Sequence, residues 1–345
     1  MQQPQPIIIA DLFPELLDAL LDLLAGLSDD EWAASTVCPG WSVKDLAGHL
    51  LGDDVGMLAR RRDGYRRGNA AIAGWDDLVT FINRQNAEWV ETARRFSPRL
   101  LCDMLRLTGA QVSAFFQSLD PYALGGPVDW AGPDPAPIWL DLAREYTERW
   151  HHHQQIAEAV GAPLLAGRRW LYPVLDVSMR AVPFAYRNVD APTTTGVTIE
   201  IAGEAGGQWT LVREMAGWRL FTGALEHAAA HIRVDQDVAW RMFFKQRSRD
   251  EVLAAMRMGG RADPSQQTVC VRNLRGRRRH TAAHEFHREC RRRARCREQD
   301  TCPGLRPDLA QLVSLAAVQL RDRSLPGVRR RDAGQAFPHP VRLQP

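Results

Sequence analysis

Glu148 and His152 stand four residues apart in Glu145-Tyr-Thr-Glu-Arg-Trp-His-His-His-Gln-Gln-Ile156. That spacing puts both side chains on one face of a helix. A carboxylate and an imidazole so placed can supply two donors to a divalent metal, with the rest left to a distant residue and water. The best distant donor is His49, in Trp41-Ser-Val-Lys-Asp-Leu-Ala-Gly-His-Leu-Leu51. A bland reading competes with this one. An isolated Glu-x-x-x-His is commonly an exposed helix pair. Successive helical positions also turn by about 100°, so His151, His152 and His153 cannot all face one site, and at least one is expected in solvent. Glu145, four before Arg149, reads as its salt-bridge partner or as a group supporting the site.

The elements that must position these residues follow from apolar period and punctuation. Residues 7–27 read as an amphipathic helix. Ser28 reads as the N-cap of a short turn through Trp32, and Ser42 with Asp45 as a capping-box variant opening a helix to about Arg67. Further helices are expected over Trp75–Phe96 and Pro98–Leu119, split by Ser97-Pro98. The stretch from Asp120 to Pro137 holds too many prolines for regular structure. The helix bearing Glu148 and His152 should run from Ile138 to Val160, and another from Arg169 to Arg187. After residue 190 the period alternates: 197–201, 208–213 and 217–221 read as short antiparallel strands and 231–234 as a candidate fourth strand, followed by helical stretches at 237–244 and 248–258. A unit of about 70 residues can barely bury its own core, so it should lean on the helices.

Composition excludes some classes. No apolar run reaches the ~18–20 residues that span a bilayer, and the uncharged start lacks the basic region of a signal peptide. A cytoplasmic protein is expected. Residues 261–345 hold 19 Arg, no Lys and 8 acidic residues, which leaves residues 1–260 with a net charge of −8. Cys38 and Cys102 are the only cysteines before residue 261 and give no disulfide framework. Each reads as a small buried hydrophobe ahead of a nucleophile. Trp41 and Trp150 could wall a pocket, although bundle tryptophans are usually core. Arg106 or Arg144 could meet a substrate carboxylate, and nothing selects either, so substrate and catalytic residues stay unassigned.

Two segments carry a family resemblance. Pro39-Gly-Trp-Ser-Val-Lys-Asp-Leu-Ala-Gly-His49 and Glu148-Arg-Trp-His-His152, followed by Ile156-Ala-Glu-Ala-Val-Gly161, resemble the signatures of the mycothiol-dependent maleylpyruvate isomerase family, a branch of the DinB-like metal-binding four-helix bundles. The resemblance implies a mainly α chain: a DinB-like bundle over 1–190, then a small α+β, sterol-carrier-like domain over 191–260 that ends truncated. It implies metal ligands at His49, Glu148 and His152, with zinc the first choice for two neutral imidazoles and a carboxylate. It also implies mycothiol or a related low-molecular-weight thiol as cofactor. A thiolate held at the metal would add to the activated double bond of a maleyl-type acid, the bond would rotate while single, and the thiol would leave. Many relatives carry Gly-Trp-Asp after the ligand histidine, where this chain has His153-Gln154-Gln155, so the surroundings of the site differ.

The expected function is a metal-dependent, thiol-cofactor isomerase or S-transferase for a small unsaturated or electrophilic acid such as a maleylpyruvate-like compound. The alternative is a non-catalytic metal- or ligand-binding helical bundle. In the tail, His280, His284, His287, Cys290, Cys296 and Cys302 match no common finger spacing. The arginine blocks could touch nucleic acid, but the Arg/Cys/His/Pro mixture without Lys is what an out-of-frame reading of GC-rich DNA gives. The tail is therefore read as disordered or frameshifted rather than as a nucleic-acid or membrane contact.

Overall fold

The computed structural model describes residues 1–65, 75–128 and 130–259, so the readings of the basic tail lie outside the described residues. Helix α1 (Leu12–Ala25) starts five residues later than its apolar period suggests. Pro14 accounts for this: its ring would collide with the carbonyl four residues earlier, so the helix cannot extend back to residue 7. Ile7 and Ile9 still bury, but as a non-helical lead-in. Helix α2 (Asp29–Ala33) follows the Ser28–Glu31 capping box, and α3 (Val43–Met57) the Ser42–Asp45 box. Past Met57 the helix widens into a π turn over Leu58–Arg62.

Helices α4 (Trp75–Ala93) and α5 (Pro98–Gln117, capped by Ser97) complete the helices before the Pro-rich stretch. That stretch is not wholly irregular. Strands β1 (Leu124–Pro127) and β2 (Pro135–Pro137) form a two-stranded antiparallel ribbon, in which proline costs no ladder bond when its nitrogen faces away from the partner. The long helix α6 (Ile138–Ala159) then packs against α1, α3 and the next helix, α7 (Arg168–Arg180). The helix expected to reach Arg187 is broken after Arg180, and α8 (Val182–Ala185) begins with a proline at its first turn.

The C-terminal part is a five-stranded sheet built from β3 (Gly196–Ala202), β4 (Gly207–Glu214), β5 (Gly217–Thr222), β6 (Ala230–Asp235) and β7 (Arg257–Gly259), in the order β5-β4-β3-β6-β7. The three strands expected to be antiparallel are so, β3 with β4 and β4 with β5, and the fourth, β6, joins the other side of β3 in parallel. Alternation identifies a strand but not its neighbour. Helix α9 (Gln236–Phe243) packs on β3 and β6, and α10 (Arg249–Ala255) ends three residues before the expected limit so that β7 can pair with β6.

The sheet and the helices share one apolar core. Phe13, Phe116, Tyr146 and Trp150 from the helices join Val197, Trp209, Ile232 and Trp240 in a single buried cluster. A second cluster, with Leu20, Leu24, Trp32, Leu46, Leu50, Leu101 and Ile156, fills the space among α1, α3, α5 and the end of α6. Buried Asp176 of α7 ties the two parts together. It accepts from Trp209 Nε1 on β4 at 2.8 Å and from Arg180 at 2.6 Å, while Arg180 also reaches the Gln5 carbonyl at 2.6 Å. No described helix is long and apolar enough to cross a membrane.

Candidate metal centre

Helix α3 is placed by its cap and by its glycines. Ser42 Oγ accepts from the Asp45 N–H, and the Asp45 carboxylate accepts in return from the Ser42 N–H at 3.0 Å. On one side Gly48 and Gly52 let α4 approach closely: Trp89 Nε1 donates to the Gly48 carbonyl at 2.7 Å, and a Cβ on Gly52 would lie 2.4 Å from the indole. The next residue along from each glycine, His49 and Asp53, points instead toward α6.

The structure brings the three predicted residues together. His49 Nε2 lies 3.4 Å from Glu148 Oε1, and His152 Nε2 lies 3.0 Å from the same oxygen. The two imidazole rings meet edge to face with centroids 4.8 Å apart. One donor atom from each of His49, Glu148 and His152 falls within 4.8 Å of the other two. Donors on a tetrahedral ion at about 2.1 Å stand about 3.4 Å from one another, so the spacing suits a single ion with little adjustment. Burial works to raise the Glu148 carboxyl, and the imidazoles, His152 first, outweigh it and hold the group well below the usual carboxylate range. Burial likewise lowers His152, but the Glu148 carboxylate and Gln155 more than compensate and leave it raised.

Around these atoms stand further groups, of which the sequence reading left Asp53 aside. Asp53 Oδ2 lies 3.4 Å from His49 Nε2. The signal was present: Asp53 follows His49 by four, the same spacing that singled out Glu148 and His152. Gln155 accepts from His152 Nδ1 at 2.7 Å. Cys38 sits beside the site, its thiol donating to Gln155 Oε1 at 3.5 Å, and burial pushes that thiol up. Trp41 packs its indole 5.3 Å from the His49 ring and so walls the site. Trp150 is core, against Trp240. Cys102 packs on the second apolar cluster.

The expectation that one of the three histidines is solvated is overturned: all three are buried. Helix α6 is covered on every side at this level, which no local pattern could reveal. His151 stacks on Phe244 with ring centroids 4.0 Å apart, and His153 is buried beside the Ala19 backbone of α1.

One turn along α6, buried charge fixes the α3–α6 register. Arg149 donates to Asp54 at 2.8 Å and to Glu145 at 2.9 Å, which bears out Glu145 as its partner. Arg144 is committed to Asp141 and Glu145, whereas Arg106 is exposed on α5. A cavity of about 30 Å³ lies beside Asp54, Arg149 and Ser113. It has room for a water and not for an organic acid.

Residues 13–157 match the profile of the mycothiol maleylpyruvate isomerase N-terminal domain. The chain is 29% identical over 231 residues to two uncharacterized proteins of Mycobacterium tuberculosis, MT0041 of strain CDC 1551 / Oshkosh and Rv0036c of strain ATCC 25618 / H37Rv. The match spans 66% of this chain and 84% of each relative. Among solved structures, the mycothiol-dependent maleylpyruvate isomerase and a mutant of it align at a TM-score of 0.41 and 10% identity, over 68% of this chain and 86% of theirs. All three converging donors fall inside the segment that matches this domain profile.

Proposed function

We propose that this protein is a metal-dependent enzyme that uses an external low-molecular-weight thiol, of the mycothiol type, to isomerise or S-alkylate a small unsaturated or electrophilic acid. The observation that carries the reading is the meeting of His49, Glu148 and His152, from two helices 99 residues apart, within one ion's reach. The donor set fits a divalent metal of the zinc type. Both imidazoles turn Nε2 toward the shared carboxylate, the anion offsets part of the ion's charge, and three protein donors leave positions open. A divalent ion held there would act as a Lewis acid and favour the anionic form of a bound thiol.

The chain's own residues do the rest. Glu148 holds the two imidazoles toward one point, Gln155 and Asp53 each hold one of the rings from behind or beside, and Trp41 covers the His49 ring. Burial raises both Cys38 and Cys102 above the ordinary thiol value, and a thiol kept protonated is a poor nucleophile. That favours a sulfur brought in from outside.

The test is metal analysis of the purified full chain beside His49→Ala, Glu148→Gln and His152→Ala, followed by turnover of a maleylpyruvate-type acid with and without mycothiol. The expected result is about one zinc per chain, lost in each variant, with turnover that needs both metal and thiol. Stoichiometric zinc with no thiol-dependent turnover would instead establish a binding module. Wild-type protein that takes up no metal would end the metal reading.

A further inference from the structure

Beyond the three donors lies a line of hydrogen bonds that leaves the bundle. Gln155 Oε1 accepts from two groups, His152 Nδ1 at 2.7 Å and the Cys38 thiol at 3.5 Å. Two donors on one oxygen fix the amide's orientation, because the reversed amide would set an NH2 against an S–H and a ring N–H. The Gln155 NH2 then points the other way and donates to His151 Nε2 at 3.1 Å. That same ring nitrogen accepts from Gln246 Nε2, also at 3.1 Å. Gln246 belongs to the C-terminal part. It sits in the turn after α9, where its N–H closes onto the Arg241 carbonyl at 2.8 Å and Lys245, at φ 56°, makes the left-handed step that ends the helix. Phe244 of the same turn stacks flat on His151 and fixes its ring plane.

We infer that Gln155, His151 and Gln246 form a relay of positioning residues, through which the turn after α9 sets the orientation of the His152 ring and the acceptor that its Nδ1 faces. The inference rests on the reading of His152 as a metal donor. The chain of bonds has a direction. A donor at Gln246 keeps His151 Nε2 an acceptor, an acceptor there holds the Gln155 NH2, and the opposite end of that amide holds the proton on His152 Nδ1. Nε2, the atom that faces Glu148 and His49, is then the nitrogen left for a metal to take in place of its proton. Reversing any one group reverses the next, and the last reversal takes the acceptor away from His152 Nδ1. None of the three relay residues would touch substrate. They act on the site only by holding His152.

Zinc affinity of the full chain, measured by competition with a chromophoric chelator, tests this in wild type, Gln155→Leu, Gln246→Leu and the double variant. Gln155→Leu should weaken zinc binding by about 10–100-fold, the usual cost of losing the partner behind a ligating histidine. Gln246→Leu should weaken it in the wild-type background and add nothing once Gln155 is gone, because its influence has no other route. Wild-type affinity in Gln155→Leu, or two effects that simply add, would overturn the relay. Gln246 is a partly exposed turn residue, so its replacement leaves a folded chain for a second reading. In the metal-free protein, the ring-nitrogen signals of both His151 and His152 should move in Gln246→Leu. If His152 does not respond, the relay is wrong. A wild-type chain that binds no zinc would defeat the metal reading, and the nitrogen signals would still decide the relay.

Discussion

A single oxygen, Glu148 Oε1, lies between two imidazole nitrogens, and that is the smallest arrangement on which the proposed chemistry depends. Glu148→Gln keeps the shape and removes the charge. Zinc affinity should fall by more than the ~10–100-fold that an outer partner costs, as a chelator competition checks. His153 is the contrast, although it adjoins a donor. It is buried beside the Ala19 backbone, so His153→Ala should leave zinc affinity at the wild-type level while lowering stability by about 0.5–3 kcal/mol, read by urea unfolding. Spacing made Glu148 and His152 visible in the sequence because the helix itself holds residues four apart on one face. It could not show that His151 and His153 are also buried, since their cover comes from Phe244 and from α1, far away in the chain.

At the scale of elements, α3 is a two-sided part. The Gly48–Gly52 side admits Trp89, and the His49–Asp53 side meets α6. Alanine is a better helix former than glycine by about 1 kcal/mol. In Gly52→Ala, however, the new methyl would stand 2.4 Å from the indole, and overpacking of this kind costs about 1–3 kcal/mol. A net fall in melting temperature is expected, and a rise would show that Trp89 gives way freely. The cap of the same helix gives a pH signature. Burial works to raise the Asp45 carboxyl, but the Arg94 guanidinium and the Ser42 N–H outweigh it and hold the group below its ordinary value. A carboxyl depressed by folding stabilises above its unfolded pKa, and the contribution disappears as pH falls through the folded value. The stability gap between wild type and Asp45→Asn should therefore be open at neutral pH and close below about pH 4, as followed by denaturant titrations across that range. Caps and breaks of this sort were legible: Ser28, Ser42 and Ser97 begin helices where their side chains can accept. Where an element's limit depends on a partner, the sequence was silent. Neither β7, which exists by pairing with β6, nor the parallel run of β3 and β6 leaves a local trace.

The whole molecule is held as one by α7. Its inner face supplies Leu171, Val174, Leu175 and Val177 to the core that the helices share with the sheet, and Asp176 anchors Trp209 and Arg180 at once. The sheet part is too small to keep an independent core, which is why its apolar face is spent on the bundle. That shared core also gives the relay from Gln246 a rigid path to His152, because the two ends cannot drift apart without opening the interior. Asp176→Ala would strip the acceptor from a buried indole N–H and leave a largely buried guanidinium without its carboxylate. Removing one member of such a pair costs about 3–5 kcal/mol. Urea unfolding followed both by tryptophan fluorescence and by far-ultraviolet circular dichroism should show wild type losing helix and sheet in one coincident transition. In Asp176→Ala the midpoint should shift down in both signals together. If the sheet signal were to leave first while the helices stayed, Asp176 would be a clamp between two separable bodies, and the bundle would have to hold His152 in place on its own.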